Sequence, residues 1–295
     1  MSGAPDSVDA VMAPFLPVGG ARAVERPVAL VTGAGPGLGG ALAVALAEAG
    51  ARLVICDIDA ERLQLTEQRL HAMGAEVLSR VCDVSSSAAV DGLVAEAAHR
   101  FGTVHVLVNN AALVPSSADD AQRRNAHYAY LTTPQPRRSL GFTSAMSDEE
   151  WLRFWAVNVN GVFFCTRAVL RLMEPQRYGR IINIASVAGI SAMSSHSPHY
   201  SAAKGAVVAF TKAVAAEVAG ANIYVNAIAP GGVHTPDFEA YLQSLDDTAR
   251  HRLWQMIPAG RLGTMEEYAA TVVHLACDPH YLVGQIISPN GGCVI

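Results

Sequence analysis

Tyr200 and Lys204, in the run Tyr200-Ser-Ala-Ala-Lys204, stand four positions apart, so on a helix a phenol and an ammonium share one face. A phenol titrates near pH ~10 and a neighbouring cation lowers that value. Such a pair can give a proton to a substrate oxygen or take one from it. Far upstream, Thr32-Gly33-Ala-Gly35-Pro-Gly37-Leu38-Gly39 is a glycine-rich turn of the kind that lets a backbone approach a pyrophosphate. The two features together point to proton transfer beside a bound nucleotide.

These residues need a frame. Continuous apolar runs at Val28–Thr32, Arg52–Cys56, Val77–Cys82, Val104–Val108, Arg180–Ala185, Ile223–Ile228 and Gln285–Ser288 suit seven strands. Most are too uniformly apolar for a sheet with one wet face, so helices are expected on both sides. Leu38, Leu42, Ala45, Leu46 and Ala49 make one stripe of a helix closing at Gly50, and Ala88–Phe101 and Asp148–Met173 read as helices in the same way. The alternation implies an α/β fold: a doubly wound, parallel, seven-stranded sheet of Rossmann type, in a single domain that continues to the C-terminus. From Leu113 to Met146 no period is sustained, and Pro115, Pro134, Pro136 and the pairs Arg123-Arg124 and Arg137-Arg138 fall there. A stretch this long without regular structure is usually functional or disordered.

Bulk properties exclude several function classes. With 295 residues, 51% hydrophobic and 16% charged, the chain can bury a large core. A formal charge of −5 gives no general attraction for nucleic acid or an anionic membrane. No apolar run approaches the ~20 residues of a membrane helix. Met1–Arg26 lacks a basic segment leading into an apolar stretch, so it reads as a loose, flexible extension, or an arm over a neighbouring subunit, rather than a signal peptide. Cys56, Cys82, Cys165, Cys277 and Cys293 show no C-x-x-C spacing. Neither a disulfide framework nor a metal site is expected, a reducing, cytoplasmic compartment fits, and the thiols read as buried hydrophobes rather than redox groups.

The strand Val28–Thr32 leads directly into the glycines, and the helix after them offers free N–H groups and a positive dipole end to a phosphate. The spacing Thr-Gly-x-x-x-Gly-x-Gly departs from the G-x-G-x-x-G fingerprint, and alone it marks a tight turn equally well. Asp57, ending the second strand, supplies context, because an acid there can hold the adenosine ribose hydroxyls. Its plainer roles would be a helix N-cap or a solvated turn acid. A carboxylate repels a 2′-phosphate, and Pro36 stands where a compensating base would be, so NAD is expected rather than NADP.

Taken together, the ordered motifs resemble the short-chain dehydrogenase/reductase family over residues 27–295. Thr32-Gly33-x-x-x-Gly37-Leu38-Gly39 is similar to the family's cofactor loop, with Asp57-Ile58 following the second strand. Asp83-Val84 is similar to its adenine-contacting pair, and Asn109-Asn110-Ala111-Ala112 resembles the Asn-Asn-Ala-Gly segment that steadies the sheet and touches the cofactor ribose. Pro230-Gly231, with Val233 and Thr235, is similar to the segment that closes over the nicotinamide carboxamide. Asn158, Ser186, Tyr200 and Lys204 fall where the family has its catalytic tetrad. The resemblance implies Tyr200 as the acid/base on a secondary alcohol or ketone, with Lys204 and the cationic nicotinamide favouring its phenolate and both residues meeting the cofactor. It implies that Ser186 holds the substrate oxygen and that Asn158 holds a water linking Lys204 to solvent. It also implies a homotetramer or homodimer built through the Tyr200 helix and the last helix and strand, where the alanines at 202, 203, 206, 209 and 213 would permit close approach. Two departures stand out. Ala112 replaces the usual final glycine, and the interval from Asn110 to Asn158 is longer than the family's, making 113–146 an insertion expected beside the substrate cleft.

After Thr235, the residues Phe238, Tyr241, Leu242, Leu245, Leu253, Trp254 and Met256 fit an apolar lid and a bulky hydrophobic or aromatic alcohol or ketone. The same side chains could instead pack on neighbouring helices. His196 and His199 are candidates to line the cleft, and the arginine pairs either meet an anionic group, such as a carboxylate or coenzyme A phosphate, or lie in solvent. Competing readings are a 3-oxoacyl thioester reductase, for which NADPH is expected, and a catalytically silent nucleotide-binding regulator. A sugar-nucleotide epimerase or dehydratase shares Tyr-x-x-x-Lys but usually carries a Thr-Gly-x-x-Gly-x-x-Gly loop and a larger C-terminal region.

Overall fold

Alternation inside uniformly apolar strands decides the architecture. In β1 (Val28–Thr32), Val28 and Leu30 join one hydrophobic cluster while Ala29 and Val31 join another. In β2 (Arg52–Asp57), Val54 and Cys56 divide from Leu53 and Ile55 in the same way. Successive side chains point to opposite faces, so a strand covered on both sides is apolar throughout. The computed structural model describes residues 24–295, and the expected N-terminal extension lies almost wholly outside them.

The other strands are β3 (Val77–Val81), β4 (Val106–Asn109), β5 (Gly179–Ile184), β6 (Ile223–Ile228) and β7 (Ile286–Ile287). All seven pair in parallel in the order β3-β2-β1-β4-β5-β6-β7. Every strand expected from the apolar runs is present, with ends displaced by a residue or two. Val104, for example, is buried yet precedes β4, because burial alone does not require a place in the ladder.

Ten helices follow among the described residues: α1 (Leu38–Glu48), α2 (Ala60–Ala72), α3 (Ser87–Phe101), α4 (Ala118–Thr132), α5 (Asp148–Trp155), α6 (Val162–Gln176), α7 (Pro198–Val218), α8 (Pro236–Ser244), α9 (Asp247–Gln255) and α10 (Met265–Cys277). Apolar faces of α1, α2 and α10 complete the cluster containing Ala29, and those of α3, α6 and α7 complete the cluster containing Val28. The sheet is thus covered by helices on both faces, as a doubly wound domain requires. No helix among the described residues is long and apolar enough to cross a membrane.

Two expectations need correction. The helix expected over Asp148–Met173 is interrupted by six residues of wider π turn, Ala156–Gly161, between α5 and α6. The irregular stretch 113–146 contains α4, opened by a capping box in which Ser117 and Asp120 exchange side-chain and backbone hydrogen bonds. Its buried residues include Asp120 and His127 rather than an apolar stripe, so hydrophobic periodicity does not reveal it.

Candidate active site

Connections turn to opposite sides of the sheet at β1 and β4, which opens a crevice at their carboxyl ends. A cavity of about 640 Å3 lies there. The turn beside it is clamped by its own sequence. Thr32 Oγ1 accepts from the backbone N–H groups of Asn110 and Ala111 at 3.1 and 3.0 Å. Asn110 Nδ2 donates back to the carbonyls of Thr32 and Gly33 at 3.0 and 2.8 Å. Glycine is required at Gly33, whose φ is 64° and where a Cβ would stand 2.7 Å from Ala111 Cα. At Gly39 a Cβ would collide with the Gly33 carbonyl. Gly37, the N-cap of α1, instead faces open space on the cavity side, and no side chain caps that helix. The bend therefore combines tight packing behind with free N–H groups in front, which suits a diphosphate.

Asp57 is not the N-cap of the following helix; Asp59 does that, accepting from the N–H groups of Glu61 and Arg62. Asp57 lines the cavity while its carboxylate accepts from Gly35 N at 2.9 Å and Asp59 N at 3.0 Å. Arg62 shares that wall, donating to the Pro36 carbonyl at 3.0 Å. Sequence reasoning looked for a base only within the glycine loop and missed it; the signal was a basic residue in the first turn of the helix after Asp57. Ile58, Asp83, Val84, Leu38, Asn110, Ala111, Gly231, Val233 and Thr235 also line the cavity. Asp83 is held by Ser85, whose backbone and hydroxyl donate to it at 2.9 and 2.7 Å. Behind the crevice, Asn109 Nδ2 bonds Asn183 Oδ1 at 2.8 Å and Thr166 Oγ1 at 3.1 Å, an amide chain that ties β4 to β5 and α6.

Tyr200, in the first turn of α7, is half-buried and faces the same cavity. Burial pushes its phenol up from the ordinary value and a hydrogen bond with the Ser186 side chain draws it back. Ser186 follows β5 and caps a short turn, its Oγ accepting from Ala188 N at 3.1 Å. Lys204, one turn further along α7, is buried; its Nζ lies 5.8 Å from the Tyr200 ring centre and donates to the Ile184 carbonyl at 2.6 Å. Burial lowers its ammonium to about 8. Here the expectation of a phenol lowered by its lysine meets the opposite balance, because removal from water disfavours both charges.

Some expected cofactor and catalytic residues lie behind the cavity wall rather than on it. Lys204 and Ser186 are not among the residues that line it, and Pro230 is buried, its carbonyl accepting from Val187 N at 3.0 Å. Asn158, fully buried in the π turn, has both amide atoms engaged by Leu113: Oδ1 accepts from its N–H at 2.7 Å and Nδ2 donates to its carbonyl at 2.9 Å. Its side chain is a clasp on the start of the 113–146 segment.

A nucleotide turn, a ribose acid and a tyrosine–lysine–serine group around one cleft match a known pattern: the family model described as short chain dehydrogenase covers residues 27–245. The chain belongs to the short-chain dehydrogenase/reductase family. It is 35% identical to the (2S)-[(R)-hydroxy(phenyl)methyl]succinyl-CoA dehydrogenase subunit BbsD of Thauera aromatica, over 91% of this chain and 97% of that protein. It is 34% identical to a 3-oxoacyl-[acyl-carrier-protein] reductase of Thermotoga maritima, over 92% and 99%. Among solved structures, a variant of actinorhodin polyketide ketoreductase with NADPH superimposes with a TM-score of 0.77 at 33% identity, covering 92% of this chain and 99% of that one. Members of this family are oxidoreductases that bind nicotinamide cofactors and act on small molecules.

To the same cleft this dehydrogenase/reductase also presents the apolar side chains Leu113, Val114 and Phe238, with Tyr241. Of the other lid candidates, Leu242, Leu245 and Leu253 form a core of their own with Ile257 and Leu262, and Trp254 packs against it. His196 and His199 do not line the cavity. His196 is buried with its Nδ1 3.2 Å from His127 Nδ1, and His199 packs edge-on to Phe154 with Nε2 3.5 Å from Glu150 Oε1. Arg123 bridges Glu150 and Asp120, joining α4 to α5, while Arg124 reaches the cavity wall. The first arginine pair is therefore not left in solvent.

Proposed function

We propose that the chain interconverts a secondary alcohol and a ketone with NAD as hydride carrier and Tyr200 as general acid/base. One observation carries this reading: the Tyr200 side chain opens onto the cleft that also holds the glycine turn and Asp57, with Lys204 one helical turn behind it. When bound, the nicotinamide would supply the hydride to the carbonyl carbon in reduction and accept it in oxidation, its oxidised form adding positive charge to the site. In reduction Tyr200 gives its proton to the ketone oxygen, and the Ser186 hydroxyl holds that oxygen as charge grows on it. Lys204 favours the phenolate left behind. Oxidation runs the same steps in reverse. Asn158 contributes by position, fixing Leu113 against the cleft, and its amide keeps one N–H and one lone pair beyond those two bonds for the water expected to link Lys204 to solvent.

Asp57 supports NAD, since its carboxylate faces the adenosine end while Arg62 is drawn to Pro36 and to Asp237, 3.5 Å away. The apolar wall supports a bulky hydrophobic or aromatic substrate, and the Thauera aromatica relative is named for a phenyl-bearing alcohol. A 3-oxoacyl thioester reductase using NADPH is the second reading, favoured by the Thermotoga maritima relative, the NADPH-bound neighbour and the presence of Arg62. Within the domain 27–295 we read 113–146 as an insertion on the substrate side. Assembly as a dimer or tetramer through α7 is supported by exposed Ala209 and Ala213 there, near half-exposed Phe163 on α6.

The test is an assay of aromatic secondary alcohols and ketones with both cofactors side by side, on wild type and Tyr200→Phe. The variant should keep dinucleotide binding and lose roughly 10²–10⁴ in turnover. Retention of most of the wild-type rate would remove Tyr200 from this role.

A further inference from the structure

Five charged side chains line the cleft: Asp57, Arg62, Asp83, Arg124 and Asp237. Four have partners of their own. Asp57 and Asp83 accept from neighbouring N–H and hydroxyl groups, and Arg62 pairs with Asp237. Arg124 meets no carboxylate among the described residues. Its guanidinium lies 4.5 Å from the ring centre of Tyr241, and one Nη2 donates to the Pro115 carbonyl at 2.7 Å. No other acceptor among the described residues takes its remaining N–H groups.

The cation is held from two sides. Arg124 belongs to α4 of the 113–146 segment, Tyr241 to α8, and the Tyr241 hydroxyl donates to Asn125 Oδ1 at 3.3 Å, joining the two helices. A guanidinium held over a ring face with one N–H already bonded has much of its freedom removed in advance, and its remaining N–H groups match a planar carboxylate. Leu113, Val114, Ala121 and Phe238, which line the same cavity, are apolar, and a less polar surrounding strengthens such a contact. Its uncompensated charge acts on nearby groups, adding to the burial that keeps His196 neutral. Among the described residues no second cation lies against Arg124, as a phosphate dianion would favour. Arg123 is committed to Asp120 and Glu150, and Lys204 lies behind the wall. Arg62, beside Asp57, is engaged by Asp237 and the Pro36 carbonyl.

We propose that Arg124 selects the substrate by binding a carboxylate carried on the alcohol or ketone, an inference that rests on the reading of the cleft given above. The substrate class is then a keto or hydroxy acid with an apolar or aromatic body.

The experiment compares an aryl keto acid with its methyl ester, on the full chain saturated for the binding measurement with the oxidised dinucleotide, which cannot reduce a ketone. Binding is read by calorimetry and turnover alongside. Wild type should bind the acid roughly 10- to 100-fold more tightly than the ester. Arg124→Gln should bring that ratio close to one without weakening dinucleotide binding. Arg124→Lys, which keeps the charge but not the fork, should lose most of the preference and serves if the neutral variant does not fold. Equal binding of acid and ester by wild type overturns the proposal, as does an unchanged ratio in the variants. Weaker dinucleotide binding in Arg124→Gln assigns the residue to the cofactor and also overturns it. A preference for a coenzyme A thioester over its phosphate-free analogue that disappears with Arg124, while the acid and ester remain equal, overturns it in favour of a phosphate. Since binding is measured without turnover, failure of every ketone to react would remove the redox reading while the acid-to-ester ratio still judged Arg124.

Discussion

Burial places Tyr200 and Lys204 under the same pressure, with the phenol raised and the ammonium lowered to about 8. A raised phenol is protonated at neutral pH, which is the form that donates to a ketone. Ketone reduction should therefore hold its kcat/KM through neutral pH and fall as the solution becomes alkaline, and alcohol oxidation should rise over the same span. Above about 8, loss of the Lys204 charge removes one group that favours the phenolate. In Ser186→Ala the hydrogen bond that draws the phenol down is gone, so the rising limb of oxidation should move to higher pH. Paired pH–rate profiles check this; a reduction rate that climbs from pH 6 to 9 would contradict it. Tyr200, Lys204, Gly33 and Gly39 were legible in the sequence because their relations are local, set by a helical turn or a tight bend. Arg62 was overlooked although it stands in the first turn after Asp57, and for Arg124 the sequence left contact with an anion and exposure to solvent both open, because helix docking rather than spacing brings it to the cleft.

Between elements, the joint of α4, α5 and α7 is polar and buried. Asp120, Arg123, Glu150, His127, His196 and His199 meet there. Burial, then Arg124 and His127, lower His196 to about 3, while Asp120 works the other way. An unfolded chain takes up that proton below about pH 6.5 whereas the folded one stays neutral, so stability present above 6.5 is lost as pH falls toward 3. The contribution is on the order of a few kcal/mol. Thermal melts at pH 7.5 and 5 should show a clear drop for wild type and a smaller one for His196→Gln, with His127 and His199, both lowered by burial, keeping some slope. The sheet strands could be read from sequence because a strand covered twice must be apolar throughout. This joint could not, since α4 docks through Asp120 and His127 and the π turn at Ala156–Gly161 leaves no mark on an apolar period.

For the molecule as a whole, α6 and α7 expose a face with Phe163, Ala209 and Ala213 that a second copy would cover. Light scattering at micromolar concentration should give the mass of a dimer or tetramer; only monomer would remove the assembly reading. Residue periodicity fixes such a face but not what covers it, which is why subunit number was not legible. The strand order carries a different consequence, for synthesis. On one side β1 pairs with β2, Val28 facing Arg52, but on the other Ala29 faces Val106. Until the ribosome has delivered β4 and the residues after it, a growing chain lacks Asn110, so the glycine turn must wait for the second half of the sheet before its clamp closes.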